Sequence, residues 1–181
     1  MKKMIYTAAV LVAIGGAVQA QQKSSPITIA EGWVQDNSKN KEFNAKETLV
    51  KADEVGEIGN GHIIVSEIQL DTEVAKLKDI IEFDTRMYTL NKQGKVQVKD
   101  AGVIVTKDKK TTSVVKHVIG GTDAGYQAIA YIPEKESVVT ITLSTYSKDF
   151  FDDHYTDFQK VVRSYSKNVQ LSPTLSESTL D

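Results

Sequence analysis

The sequence predicts an α+β fold in which a twisted antiparallel sheet of about six strands is flanked by helices. Short apolar runs follow one another through short polar turns, which is typical of antiparallel hairpins. Near the end of the chain the apolar spacing changes from two to about 3.6 residues, so a helix is expected after the last strand. Strands that are grouped in sequence, with helices before and after them, indicate an α+β domain.

The chain begins with the features of a secretory signal peptide. Two lysines precede an apolar stretch from Met4 to Val18, and the small side chains of Val18 and Ala20 suit a cleavage site. A spanning helix requires about 20 apolar residues, and this stretch is shorter. We therefore expect residues 1–20 to be removed after Ala20 and the mature protein to be periplasmic or secreted.

The mature chain is expected to form one domain, residues 21–167, followed by a flexible tail, residues 168–181, that lacks a repeating apolar face. The sequence has no cysteine, which excludes disulfides and a cysteine-linked lipid anchor. Without Lys2 and Lys3 the 22 basic residues become 20 against 24 acidic ones, a formal net charge of −4. Mild acidity with interspersed charges argues against a nucleic-acid partner and against membrane insertion of the mature chain.

The first part of the domain is expected to hold strands. Gly32 marks a turn, and the run Glu42–Val50 is moderately strand-like. The β-branched segment His62–Ile68 follows Asn60 and Gly61, a pair that favours a type I′ hairpin turn. Two strands are therefore expected to meet there.

A first helix is expected after Asp71-Thr72, either of which can cap a helix start. Val74, Leu77 and Ile81 recur at i, i+3 and i+7, the spacing of one helix face. The helix is expected to end before Gly94.

The second part of the domain is expected to hold four antiparallel strands, because its apolar runs are joined by short charged or glycine-rich turns. The last run alternates cleanly between apolar and hydroxyl side chains, which indicates one buried face. The predicted strands are Val96–Val105, Ser113–Ile119, Tyr126–Tyr131 and Val138–Thr145.

An amphipathic helix of about 17 residues is expected to close the domain, on the spacing of its apolar side chains. Aspartates at its start and basic residues at its end suit the helix macrodipole. The apolar residues are Phe151, Tyr155, Phe158, Val162 and Tyr165, at spacings of 4, 3, 4 and 3.

Several of these features occur together in one known superfamily. They are Glu31-Gly32-Trp33, a mid-chain helix, the strand Val138–Thr145, Phe150-Phe151 and the run Asp157–Tyr165. In them the chain resembles the PsbP-like superfamily, the fold of photosystem II extrinsic protein P and of the Ran-binding Mog-type proteins. The resemblance implies a twisted antiparallel sheet flanked by helices that serves as a binding or assembly module rather than an enzyme, and it brings no catalytic motif.

The three histidines, His62, His117 and His154, lie apart, and none has the spacing of a local zinc site. His117 is expected to be a partly buried sheet residue. Asp152, Asp153 and His154 invite a divalent metal, but consecutive positions on a helix do not face one another. Interaction of the aspartates with the helix amino terminus is the favoured interpretation.

Two other motifs are better explained by structure than by chemistry. The glycines of the run Gly56–His62 precede a strand, whereas a dinucleotide site needs them to open a helix. Ser164–Lys167 matches Ser-x-x-Lys at the end of a helix, where the acyl-transfer motif does not occur. The aromatic side chains expected in or near the core are Trp33, Tyr126, Tyr131 and Tyr155.

No catalytic, cofactor-binding or metal-binding residue is therefore assigned from the sequence. The favoured function is an exported, non-catalytic binding or assembly module of the cell envelope, whose partner is another envelope protein or a small ligand. The first alternative is a small secreted hydrolase with a dispersed active site, which would need a deep pocket with converging histidine and carboxylate groups. The second alternative is a divalent-metal-binding protein.

Overall fold

A computed structural model of the chain describes residues 25–55, 60–70, 77–91, 96–108, 112–120 and 125–167. The predicted signal peptide, its cleavage site and the predicted tail lie outside the described residues. The strands and helices of the described part are β1 (Trp33–Gln35), β2 (Glu47–Lys51), β3 (Gly61–Gln69), α1 (Leu77–Asn91), β4 (Gln97–Val105), β5 (Thr112–Ile119), β6 (Tyr126–Pro133), β7 (Ser137–Thr145) and α2 (Lys148–Ser164).

The seven strands form one antiparallel sheet in the order β1-β2-β3-β7-β6-β5-β4. The pairing of β3 with β7, from Gly61 opposite Thr145 to Gln69 opposite Ser137, joins the two halves of the chain. The predicted α+β class and antiparallel sheet are confirmed. The three-residue strand β1 brings the sheet to seven strands, where the sequence predicted about six.

Helix α2 covers one face of the sheet. The Ser147 side chain caps the helix by accepting a hydrogen bond from the Phe150 amide at 3.2 Å. Phe158, Val161 and Val162 are fully buried in the main core cluster. The predicted amphipathic helix is confirmed, including its length of 17 residues. Tyr165 follows the last helical residue but is still buried, and its hydroxyl donates to Glu134 at 2.8 Å.

Helix α1 packs in a second core cluster with strands β5 to β7. Ile81 is buried there with Val118, Ile129, Tyr131 and Val138. The helix connects β3 to β4, two parallel strands that are separated in the sheet by β7, β6 and β5. None of the helices in the described ranges has the length and apolarity that crossing a bilayer requires.

The amino-terminal strands differ from the prediction in two places. Strand β2 begins at Glu47 rather than near Glu42, because the chain before it turns, with Asn44 at a φ of 50°. Gly61 is the first residue of β3 and not part of a two-residue turn, although β2 and β3 do pair as neighbours. The turn predicted at Gly32 is confirmed by its φ of 75°, which glycine adopts without strain.

Candidate docking surface

Helix α1 carries apolar side chains on a wider arc than the sheet covers. Ile81 points into the core, whereas Phe83, Met87 and Leu90 remain 53%, 37% and 66% exposed. These three residues stand at i, i+4 and i+7, so they fall on one side of the helix. We call them the α1 stripe. Singly exposed apolar residues are ordinary, but a contiguous exposed set marks an interaction surface.

Charged side chains of both signs border the α1 stripe. The Arg86 guanidinium lies over the Phe83 ring, 5.9 Å from its centroid, in a cation–π contact. Glu82 pairs with Lys78 at 3.4 Å, and both side chains are exposed. An exposed pair of this kind is held weakly, so Glu82 is available to a second cation without a large cost.

The position of α1 on the sheet is fixed by a hydrogen bond to strand β6. The hydroxyl of the buried Tyr131 donates to Oδ2 of Asp84 at 3.0 Å. Burial raises the pKa of Tyr131, and the neighbouring Asp84 charge raises it further. Burial also raises the pKa of Asp84, while the hydrogen bond from Tyr131 opposes that shift. Asp84 follows Phe83 in the helix, so this hydrogen bond links α1 to β6 next to the α1 stripe.

A polar cluster joins α2 to the edge strand β1. Asp157 accepts hydrogen bonds from Trp33 Nε1 at 3.2 Å and from Lys160 Nζ at 3.0 Å, and His154 Nδ1 lies 3.4 Å from the same carboxylate. Burial raises the pKa of Asp157, but the hydrogen bonds from Lys160, Trp33 and His154 outweigh burial and lower it. The His154 ring also packs edge-on against Trp33, with centroids 5.5 Å apart.

In a nucleophilic active site, a carboxylate orients a histidine, and the histidine acts as the general base for a hydroxyl or thiol nucleophile. Within the described residues, however, no hydroxyl is hydrogen-bonded to His154, and Asp157 is shared with Trp33 and Lys160. The Asp157 carboxylate therefore links α2 to β1.

The other two histidines lie in different parts of the sheet. His117 is partly buried on β5, as predicted, with the rings of Phe151 and Tyr155 at right angles to it. Burial lowers the pKa of His117. His62 on β3 stacks on Phe43 with centroids 4.6 Å apart, and burial lowers its pKa although Glu42 opposes the shift.

Asp152, Asp153 and His154, the group that invited a divalent metal, follow the first turn of α2. The first turn holds Asp149, whereas Asp152 and Asp153 are the fifth and sixth residues of the helix. Asp152 and Asp153 therefore do not lie in the first turn, where they were expected to interact with the helix amino terminus. Asp149 and the capping Ser147 occupy that end of the helix, and Asp152 pairs with Lys148. Across the described ranges, no three potential ligands are grouped as a metal ion would need.

Ser164 of the Ser-x-x-Lys match bonds to backbone groups. Its hydroxyl accepts from the Thr28 amide at 2.8 Å and donates to the Val161 carbonyl at 2.7 Å. The side chain therefore fastens the segment before β1 to α2. The predicted core role of the aromatic residues is confirmed, since Trp33 and Tyr131 are buried and the other two are half-buried, Tyr126 and Tyr155.

Sequence reasoning missed the α1 stripe. It found the core-facing spacing of Leu77 and Ile81 but not the second apolar series of the same helix. The signal was present, because Phe83, Met87 and Leu90 follow a helical spacing that is offset from the core series. An apolar arc wider than one packing face would have indicated a second contact.

These features define an α+β module with one helix on each face of an antiparallel sheet and an exposed apolar stripe on α1. The chain is similar in structure to cyanobacterial PsbP (CyanoP) from Synechocystis sp. PCC 6803, known from a solution structure. The two share 14% sequence identity with a TM-score of 0.49, over 75% of this chain and 82% of that chain. No family model matches the sequence, and no curated protein matches it. The likeness concerns the arrangement of strands and helices alone.

Proposed function

We propose that this chain is an exported, non-catalytic binding or assembly module of the cell envelope that docks on another protein through the α1 stripe. The observation that carries the proposal is the exposure of Phe83, Met87 and Leu90 on one side of a helix that the sheet holds in place. Export is supported by the signal-peptide features of residues 1–20.

The shape of the surface favours a protein over a small ligand. Small-molecule sites are concave and enclose most of the ligand, whereas the α1 stripe runs along the outside of a helix. From Phe83 to Leu90 it extends about 10 Å along the helix axis at about 1.5 Å per residue. Phenylalanine, methionine and arginine are also enriched at protein interfaces, and all three occur here, with Arg86 beside Phe83.

In-cell crosslinking tests the docking surface. A photoreactive amino acid placed at Phe83 in the full chain is expected to yield one discrete protein adduct. The same group at Thr89, which is exposed on another side of α1, is the matched control and is expected to yield none. Equal labelling from the two positions, or no adduct from Phe83, would contradict the proposal.

Fractionation tests export separately. The mature protein is expected in the soluble envelope fraction with Gln21 at its amino terminus. An intact Met1 in the inner membrane would mean that the apolar stretch is an uncleaved anchor.

A further inference from the structure

We propose that the α1 stripe binds a second copy of this chain, through an antiparallel α1–α1 contact about a two-fold axis. The inference rests on the proposed function, because it names the partner of the same surface. It is carried by the spacing of the α1 stripe and by the charges beside it.

The spacing of the α1 stripe allows two copies of the helix to pack antiparallel to each other with their stripes in contact. In an antiparallel pair centred at the level of Thr85, residue 83 of one copy lies opposite residue 87 of the other. Phe83 then packs on Met87 of the second copy, and the reverse contact forms at the same time, as a two-fold interface requires. The half-buried Ile80 comes opposite Leu90 of the second copy in the same register.

The bordering charges are complementary under the same operation. Arg86 of one copy falls at the level of residue 84 of the other, about 3 Å along the axis from Glu82 at about 1.5 Å per residue. Long side chains span that offset. Two symmetric Glu82–Arg86 pairs would therefore flank the apolar contact. Opposite charges that meet across an interface fix its register and exclude wrong alignments.

The sheet edges are less suited to self-association. Strand β1 has only three residues. Strand β4 is longer, and Val103 and Val105 are exposed on it, but its register is interrupted between Asp100 and Val103. An irregularity of this kind hinders continuous pairing with another strand. The helix face is therefore the better contact between copies.

A single helix pair is a small interface, so the association is expected to be reversible, with a dissociation constant on the order of micromolar. Sedimentation equilibrium of the purified mature protein is expected to show a mass that rises toward that of a dimer with concentration. Met87→Asp should weaken the association by more than about tenfold, since it places a charge in the apolar contact.

Disulfide trapping tests the register, and the cysteine-free sequence gives a clean background. Helix axes about 8–10 Å apart, with Cα atoms at a radius of about 2.3 Å, leave about 3.4–5.4 Å between facing Cα atoms. A disulfide needs about 4.4–6.8 Å. A mixture of Phe83→Cys and Met87→Cys proteins is therefore expected to crosslink faster than either protein alone. Lys78→Cys mixed with Thr89→Cys, on another side of the helix, is the control.

Charge reversal tests the pairing independently of the apolar contact. Arg86→Glu is expected to weaken the dimer severalfold, and adding Glu82→Arg in the same chain should restore it. These positions are exposed, so an unchanged unfolding curve will show that each variant is folded.

The outcomes separate this inference from the proposed function. Rapid crosslinking of either cysteine variant alone, without a gain in the mixture, would overturn the antiparallel register. A monomer at all concentrations would overturn self-association. If Phe83 then gave an adduct with a different envelope protein in cells, the docking function would stand with another partner. No adduct of any kind would overturn both proposals.

Discussion

Phe158→Ala is the sharpest test of how α2 holds the domain together. The Phe158 side chain is 0% exposed and lies in the main core cluster, with the Tyr155 ring 5.7 Å away. Truncation removes the apolar ring and leaves a cavity that rigid neighbours fill only in part. Changes of this kind cost about 3–5 kcal/mol.

The matched control is Lys160→Ala, two residues further along the same helix. Its side chain is 60% exposed and is bonded to Asp157, which keeps its hydrogen bond from Trp33. An exposed ion pair contributes about 0–1 kcal/mol, so this variant should lose no more than that. Both changes alter helix propensity only slightly, since alanine is the best helix former.

Urea unfolding of the two variants measures the difference. Phe158→Ala should lower the midpoint strongly with an unchanged m value, and Lys160→Ala should leave both nearly unchanged. In a thermal melt the Phe158 loss corresponds to about 6–20 °C, at about 2–4 °C per kcal/mol for a domain of this size. Similar losses in both variants would refute the assignment of the buried face of α2.

Three further predictions concern the pH dependence of stability, the hydrogen bond between Trp33 and Asp157, and two glycines. Since burial lowers the pKa of His117, the unfolded chain binds the proton more readily, and stability should fall as pH drops below about 6.5. His117→Gln should reduce the fall of the urea midpoint between pH 7.5 and 5.5, and His62, whose pKa burial also lowers, should keep part of it. Asp157→Asn should lower the free energy of unfolding by about 1–3 kcal/mol and shift the fluorescence spectrum of Trp33. An unshifted spectrum would contradict the hydrogen bond between Trp33 and Asp157. Gly125→Ala should lower the free energy of unfolding, measured in denaturant, more than Gly102→Ala does. Both glycines have a positive φ, but of the two only an alanine Cβ at position 125 would collide with the backbone, 2.2 Å from the Thr145 carbonyl oxygen.

The second half of the fold was predictable because its signals are local. Strands β5, β6 and β7 follow one another through short connections, so sequence neighbours pair in space. Helix α2 carries a long, regular apolar spacing that no strand could satisfy. Three of its four buried residues, Phe151, Phe158 and Val162, are therefore those that the spacing selects, and the fourth, Val161, lies next to Val162.

The first half was less predictable because its pairings are distant in sequence. β3 pairs with β7 across a gap that contains α1 and three strands, and nothing local in His62–Ile68 selects that partner. β1 is three residues long, too short for an alternating pattern to be visible. The contact of Trp33 with Asp157 depends on the same long-range arrangement, so the sequence could indicate that Trp33 is buried but not what it bonds to.

The two helices differ in what their apolar surface does. On α2 the large apolar side chains of the main stripe are buried or half-buried against the sheet, whereas on α1 Phe83, Met87 and Leu90 are left outside the core. Changes on the two helices should therefore separate two properties. Phe158→Ala should lower the stability of the monomer strongly, whereas Met87→Asp, at a side chain that is partly exposed, should lower it much less and should reduce association. If Met87→Asp instead destabilised the monomer as much as Phe158→Ala does, the α1 stripe would belong to the core. The docking proposal would then lose the exposed surface on which it rests.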